Sequence, residues 1–192
     1  MWRSMTANWG TMVESILIGE RVRLTALEEK DLATVATWSR DDHFMRRLDA
    51  EASVPRTESQ LKKWLAEHHE SDKGFLFALR PPEGEELIGF IEIDGILWNH
   101  RTGWISIGIG SPEHRGRGWG REAMSLALRF AFQELNLHRL QLTVFSYNTD
   151  AIRLYERLGF TREGTYREFL EREGQRWDML LYGLLRREWN HR

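Results

Sequence analysis

The run Arg115-Gly116-Arg117-Gly118-Trp119-Gly120-Arg121 stands between two hydrophobic patterns of different period. Upstream, over 104–109, Ile105, Ile107 and Ile109 alternate with Trp104, Ser106 and Gly108, which is the repeat of a strand. Downstream, Met124, Ala127, Leu128, Ala131 and Leu135 recur at i, i+3, i+4 spacing and predict a helix over 118–135. Residues 140–145 then read as strand again. Strand, glycine turn, helix and strand in this order predict a parallel crossover, so the chain must build a sheet with helices packed on it.

The turn itself is suited to an anion. Gly116, Gly118 and Gly120 let backbone N–H groups converge, the helix start adds partial positive charge, and Arg115, Arg117 and Arg121 add full charges. Phosphate is the natural guest, and a plain flexible turn at a helix start is the alternative. Neither a Lys-Ser or Lys-Thr pair after the glycines nor a Gly-x-Gly-x-x-Gly directly at a strand end is present, so P-loop and dinucleotide readings fail. Gly108 and Gly110 weaken the preceding strand and mark a bulge or a close backbone approach. A bulge there would part 107–109 from the strand at 140–145. The backbone groups left unpaired would suit an amide-bearing chain such as pantetheine.

The remaining elements place this crossover in one α/β domain. A strand is expected over 21–25, then a helix over 28–38 opened by a Thr25/Glu28 capping box, then a loop over 41–55. Thr57 and Gln60 open a helix reaching Glu70, with Leu61, Trp64 and Leu65 on its apolar face. Strands over 75–79 and 87–97 flank turn chemistry at Pro81-Pro82-Glu83-Gly84 and predict a hairpin. A short helix over 149–158 stops at Gly159, and strands over 165–170 and 176–184 are joined by a Glu173-Gly174 turn. Trp64 and Trp104 are expected in the core.

The 192 residues suit a single domain. We expect an N-terminal extension over 1–15 and the folded domain over 16–192. With 27 basic against 29 acidic residues, the chain is not built to coat nucleic acid. No cysteine is present, which excludes thiolate chemistry and is compatible with the cytoplasm. No apolar run approaches the length of a membrane span. The histidines show no metal-ligand spacing, so no metal is expected.

These residues resemble the GNAT family of acetyl-CoA-dependent N-acetyltransferases. The family's acyl-CoA motif is Arg or Gln, two residues, Gly, one residue, then Gly or Ala, and Arg115, Gly118 and Gly120 match it. The run from Asn148 through Leu154-Tyr155 to Gly159-Phe160 is similar to the family's second signature. From Leu87 onward the chain looks like the branch of ribosomal-protein N-terminal and spermidine N-acetyltransferases. The resemblance implies a mixed, mostly antiparallel sheet of six to seven strands flanked by helices. It also implies acetyl-CoA as co-substrate, held by Ile107, Gly108 and Ile109, by the loop residues Arg115, Gly116, Arg117, Gly118, Trp119, Gly120 and Arg121, and by Asn148. Asn148 is equally placed to cap the helix that follows it.

Acetyl transfer to an amine needs a base for the ammonium proton and an acid for the departing thiolate. The resemblance places Tyr155 beside the sulfur as the acid; on pattern alone it is a core aromatic. Glu92 is the leading base, with a solvated strand position as the alternative and Asp94, Glu168 and Glu171 in reserve. No Gly-x-Ser-x-Gly elbow surrounds Ser106 or Ser146, so direct attack in a ternary complex is expected over a covalent serine route. The acceptor is expected to be a primary amine on a small molecule, a polyamine or a protein N-terminus, and the resemblance implies a homodimer or larger homo-oligomer. The alternative function is an acyl-CoA-binding sensor without turnover.

Overall fold

The structure, a computed structural model, describes residues 15–189. The expected extension over 1–15 lies, but for Ser15, outside the described residues.

Alternating apolar residues on the central strands bury both faces of a mixed sheet. On β2 (Phe75–Arg80) and β3 (Gly89–Leu97), Leu76, Ala78 and Phe90 join one core, while Leu79, Ile91 and Ile93 join the other. The first core is closed by α1 (Leu32–Trp38), α2 (Asp42–Leu48) and α3 (Glu58–Glu70). The second is closed by α4 (Trp119–Arg129), from which Ala123, Met124, Leu126, Ala127 and Leu128 are buried. The remaining strands are β1 (Arg23–Ala26), β4 (Thr102–Ile109), β5 (Arg139–Phe145), β6 (Thr161–Arg172) and β7 (Gln175–Leu185); α5 (Thr149–Arg157) follows β5. The sheet order is β1-β2-β3-β4-β5-β7-β6, and β4 with β5 is its parallel pair. The expected α/β class, crossover and hairpins are therefore present, and Glu173 and Gly174 turn β6 into β7 with φ of 55° and 73°.

Several local expectations are corrected. The stretch 41–55 is not all loop: Asp41 accepts a hydrogen bond from the Phe44 N–H at 3.1 Å and starts α2, whose Phe44 is buried. The first capping box pairs Glu28 with Asp31 rather than Thr25 with Glu28, because Thr25 lies inside β1, and a 3-10 turn at Glu29–Asp31 precedes α1. The helix over 118–135 is α-helical to Arg129 and continues as a π turn, Phe130–Glu134. Trp104 is 37% exposed rather than in the core. The Thr57/Gln60 box is as expected.

No bulge occurs at Gly108. Register between β3 and β4 runs unbroken from Gly89↔Ile109 to Asp94↔Trp104, and the irregularity lies between Asp94 and Leu97. The strands part all the same. β4 pairs with β5 only from Thr102↔Arg139 to Trp104↔Gln141, while β5 continues along β7 to Phe145↔Met179. Beyond Trp104, the β5-facing edge of β4 has no strand beside it among the described residues.

Candidate active site

Where β4 and β5 part, a cavity of about 660 Å³ opens. Ile107, Gly108 and Ile109 form one lip, and Val144 and Phe145 form the other. Unpaired strand N–H and C=O groups on a lip of this kind offer an extended ligand the bonds a neighbouring strand would have made.

One end of the cavity is the glycine turn, with Arg115, Gly116, Gly118, Gly120 and Arg121 on its lining. Gly118 is the N-cap of α4 at φ 89°, and Gly116 has φ 74°. Both angles are left-handed, and no heavy atom lies within 4 Å of where a Cβ would stand on either residue. Glycine is needed here for its backbone angle, not for lack of space. The α4 N-terminus adds its dipole, and Arg157 of α5 adds charge from the side, where Arg153 is paired with Asp150 at 2.5 Å.

The loop residues do not all offer their polar atoms to this space. Arg115 is turned inward: Nε donates to the Ile109 carbonyl at 2.9 Å, and Nη2 donates to the Gly110 carbonyl at 2.8 Å and to Asp41 Oδ2 at 3.1 Å. Its guanidinium also sits 5.3 Å from the Phe44 ring centroid, so it ties the end of β4 to the start of α2. Trp119 packs edge-on against His114, with ring centroids 5.1 Å apart. Neither Trp119 nor Arg117 lines the cavity.

Asn148 caps α5 through Oδ1, which accepts from the Ala151 N–H at 3.4 Å, and it also borders the cavity. Helix α5 then carries Tyr155 to the same space. Tyr155 is 7% exposed and its ring meets Phe160 edge-on. Burial pushes its phenol up to about 12, so the hydroxyl keeps its proton throughout the neutral range.

Glu92 is not on this cavity. It lines a smaller one of about 190 Å³ together with Trp38, Phe44, Trp64, Phe90 and Ser106. Phe44, Leu48 and Ser106 border both spaces, so the two cavities share a wall. Ser106 is also the register partner of Glu92 across β3 and β4. Glu92 Oε1 lies 2.7 Å from His68 Nε2. Burial pushes the Glu92 carboxyl above its usual range; Asp94 adds to this and His68 opposes it. Asp94 is pushed up by burial as well, but it lies on neither cavity. Glu168 sits on an exposed irregularity of β6 with φ 51°, and Glu171 pairs with Arg176 at 3.1 Å; neither borders the site.

Residues 21–161 match the acetyltransferase (GNAT) domain family. The chain belongs to the GNAT acetyltransferases. It is similar to YokL, an uncharacterized N-acetyltransferase derived from the SPbeta prophage of Bacillus subtilis strain 168. The identity is 31% over 175 residues, covering 90% of this chain and 96% of that one. Its fold matches the crystal structure of spermidine N-acetyltransferase from Vibrio cholerae in complex with CoA and spermine. The TM-score is 0.81 at 28% identity, over 88% of this chain and 98% of that one. A dodecameric structure of the Vibrio cholerae enzyme matches with a TM-score of 0.73 at 28% identity, over 88% and 95% of the two chains. The acetyltransferase is thus an acetyl-CoA-dependent enzyme of N-acetylation, and no observation favours the sensor without turnover.

Sequence reasoning missed the α2 side of the acetyltransferase site, where His43, Phe44, Arg47 and Leu48 border the large cavity. An Asp41 N-cap was the available signal. It also missed a surface group, Glu86, Glu113 and His114, whose ligand atoms lie within 4.8 Å of one another. Spacing rules see only helical or loop-local ligands, and this group is assembled by tertiary structure. Among the described residues, no helix is long and apolar enough to cross a membrane.

Proposed function

We propose that the acetyltransferase moves the acetyl group of acetyl-CoA to a primary amine by direct attack in a ternary complex. The thioester would lie in the 660 Å³ cavity and the acceptor in the 190 Å³ one. The observation that carries this reading is the shared wall at Phe44, Leu48 and Ser106, with Tyr155 on one side and Glu92 on the other. The parted strands would hold the pantetheine arm by backbone bonds at Ile107, Gly108 and Ile109. Gly116, Gly118, Gly120 and Arg121 would meet phosphate, and Asn148 would border the arm. Arg117 and Trp119 would contribute through the loop's shape, and Arg115 by fixing the strand end.

In the reaction, the amine nitrogen attacks the thioester carbonyl carbon and a C–N bond forms. Glu92 takes the proton the nitrogen must lose, directly or through water. As the C–S bond breaks, the thiolate takes the Tyr155 phenolic proton; once the products part, Tyr155 regains a proton from solvent and Glu92 gives one up to it. The sum is one amide and one thiol. A carboxyl pushed upward by burial is a stronger base than an exposed one, which favours the role of Glu92, and the Tyr155 phenol, protonated throughout the neutral range, has a proton to give.

The acceptor class is a primary amine on a small molecule, a polyamine or a protein N-terminus. The likeness to a spermidine acetyltransferase supports the polyamine arm, and the aromatic lining of the small cavity suits the alkyl body of any of them. Self-association is part of the proposal, supported by the dodecameric relative, and so is a cytoplasmic location, supported by the absence of cysteine. Thiol release measured across an amine panel tests the reading. Turnover dependent on both acetyl-CoA and one amine class is expected, and tight CoA binding with no turnover on any amine would refute it.

A further inference from the structure

His68 is a histidine that motif spacing passes over, and the fold gives it a defined place. It lies on α3, and its Nδ1 is 2.8 Å from the carbonyl oxygen of Trp64, one helical turn earlier. A carbonyl can only accept, so Nδ1 carries a hydrogen and the ring is locked in one tautomer and one orientation. That leaves Nε2 facing Glu92 Oε1 at 2.7 Å. With a lone pair on each atom this distance would be repulsive. The contact is a hydrogen bond only if a further proton lies between them, on the ring or on the carboxyl. The pair is largely enclosed, with side chains 25% and 15% exposed, and Oε2 of Glu92 accepts from no group among the described residues.

We propose that His68 is the positioning residue of the acetyltransferase's base: it holds Oε1 of Glu92 through one shared proton and leaves Oε2 to meet the incoming amine. The proposal rests on Glu92 acting as base. Its strand neighbours Leu76 and Ser106 do not titrate. The charged groups around the pair are Asp94 on β3, Asp49 after α2 and Arg56 before α3. Asp94 works against ionisation of Glu92, whereas His68 works for it, so His68 is the group that keeps a buried carboxylate available to the substrate.

The test is the pH dependence of kcat/KM for the full chain with its best amine, alongside the acetyl-CoA Kd. His68→Leu removes both the hydrogen bond and the charge. Its acidic limb is expected to move up by about one pH unit and kcat/KM at pH 7 to fall about tenfold, with the acetyl-CoA Kd unchanged. His68→Gln keeps a donor for Oε1 without the charge. It is expected to recover part of the rate while its limb stays above that of the parent enzyme. If the leucine variant does not fold, the limb of the glutamine variant decides. Limbs at the parental pH overturn the proposal, since a merely structural histidine would lower stability and leave the profile in place. Glu92→Gln separates the two layers. If it retains turnover and the acidic limb, the reading of Glu92 as base fails; if it loses both while the His68 variants keep the parental limb, only the role of His68 fails.

Discussion

A Cβ added to Gly110 would stand 2.0 Å from Cδ2 of Trp38. Two residues earlier, one added to Gly108 would stand 3.0 Å from Cζ of Phe44. Helices α1 and α2 therefore rest directly on the backbone at the end of β4. Trp38 and Phe44 in turn wall the small cavity, and Phe44 the large one as well. Gly110→Ala forces the Trp38 indole aside. It is expected to cost about 2–3 kcal/mol, at the upper end for overpacking, because the clash is with a rigid ring. Urea unfolding checks this, and a midpoint equal to that of the parent protein would contradict the packing described.

Tyr155→Phe keeps the ring against Phe160 and removes only the phenolic proton. If Tyr155 is the acid, kcat is expected to fall about 100-fold or more, with the acetyl-CoA Kd within about twofold. Steady-state kinetics with isothermal titration gives both numbers. An unchanged kcat removes the hydroxyl from the chemistry.

The same substitution has a signature in alkali. The folded protein holds the phenol up at about 12, above the ordinary tyrosine value of 10.0, so the folded state keeps a proton that the unfolded chain gives up first. That preference is intact below pH 10, and it is lost as pH rises toward 12, by about 1.4 kcal/mol per unit. Between those values the parent protein should lose stability with pH faster than Tyr155→Phe. Urea midpoints that fall in parallel for the two proteins would count against the burial of this hydroxyl.

The glycine turn, the crossover and the α5 cap were legible because each is written in neighbouring residues. A left-handed turn needs Gly116 and Gly118 whatever surrounds them, and Asn148 caps from three residues away. Helix α2 was not legible, since Phe44, Met45 and Leu48 stand among Asp41, Asp42, Arg46 and Arg47 and the helix gains stability only by packing on β4. The π turn at Phe130–Glu134 changes the hydrogen-bond step without erasing the apolar pattern, so periodicity reads through it. Strand glycines announce a close approach but do not name the partner. On the side where a Cβ would stand, Gly108 and Gly110 meet Phe44 and Trp38. The Glu92–His68 pair joins β3 to α3, a relation no local pattern carries.

Arg80 Nη2 donates to both carboxylate oxygens of Asp31, at 2.7 and 2.8 Å, in a pair that is 2% and 6% exposed, and Arg80 also donates to Thr25 Oγ1 and the Glu85 carbonyl. Asp31→Ala leaves a buried guanidinium short of its charge partner and is expected to cost about 3–5 kcal/mol. The pair joins β2 to the turn before α1, away from both cavities. Protein that remains folded at low temperature should keep its kcat, and a loss of kcat without a loss of stability would contradict this placement.

The division of labour along the large cavity can be tested by splitting the ligand. Gly118 adopts φ 89° at the N-cap of α4, where alanine fits sterically but pays about 1–2 kcal/mol for the left-handed angle. Gly118→Ala should therefore relax the turn and spoil the convergence of its N–H groups. The lip at Ile107–Ile109 is left alone. CoA, which carries the phosphates, is expected to bind about tenfold more weakly, whereas pantetheine, which has only the amide arm, should keep its affinity. The parent protein saturated with acetyl-CoA at 100 times its Kd should gain about 2.7 kcal/mol of stability, and Gly118→Ala at the same concentration should gain less. Equal losses of affinity for CoA and pantetheine would mean that the turn and the strands do not bind separate parts of the ligand.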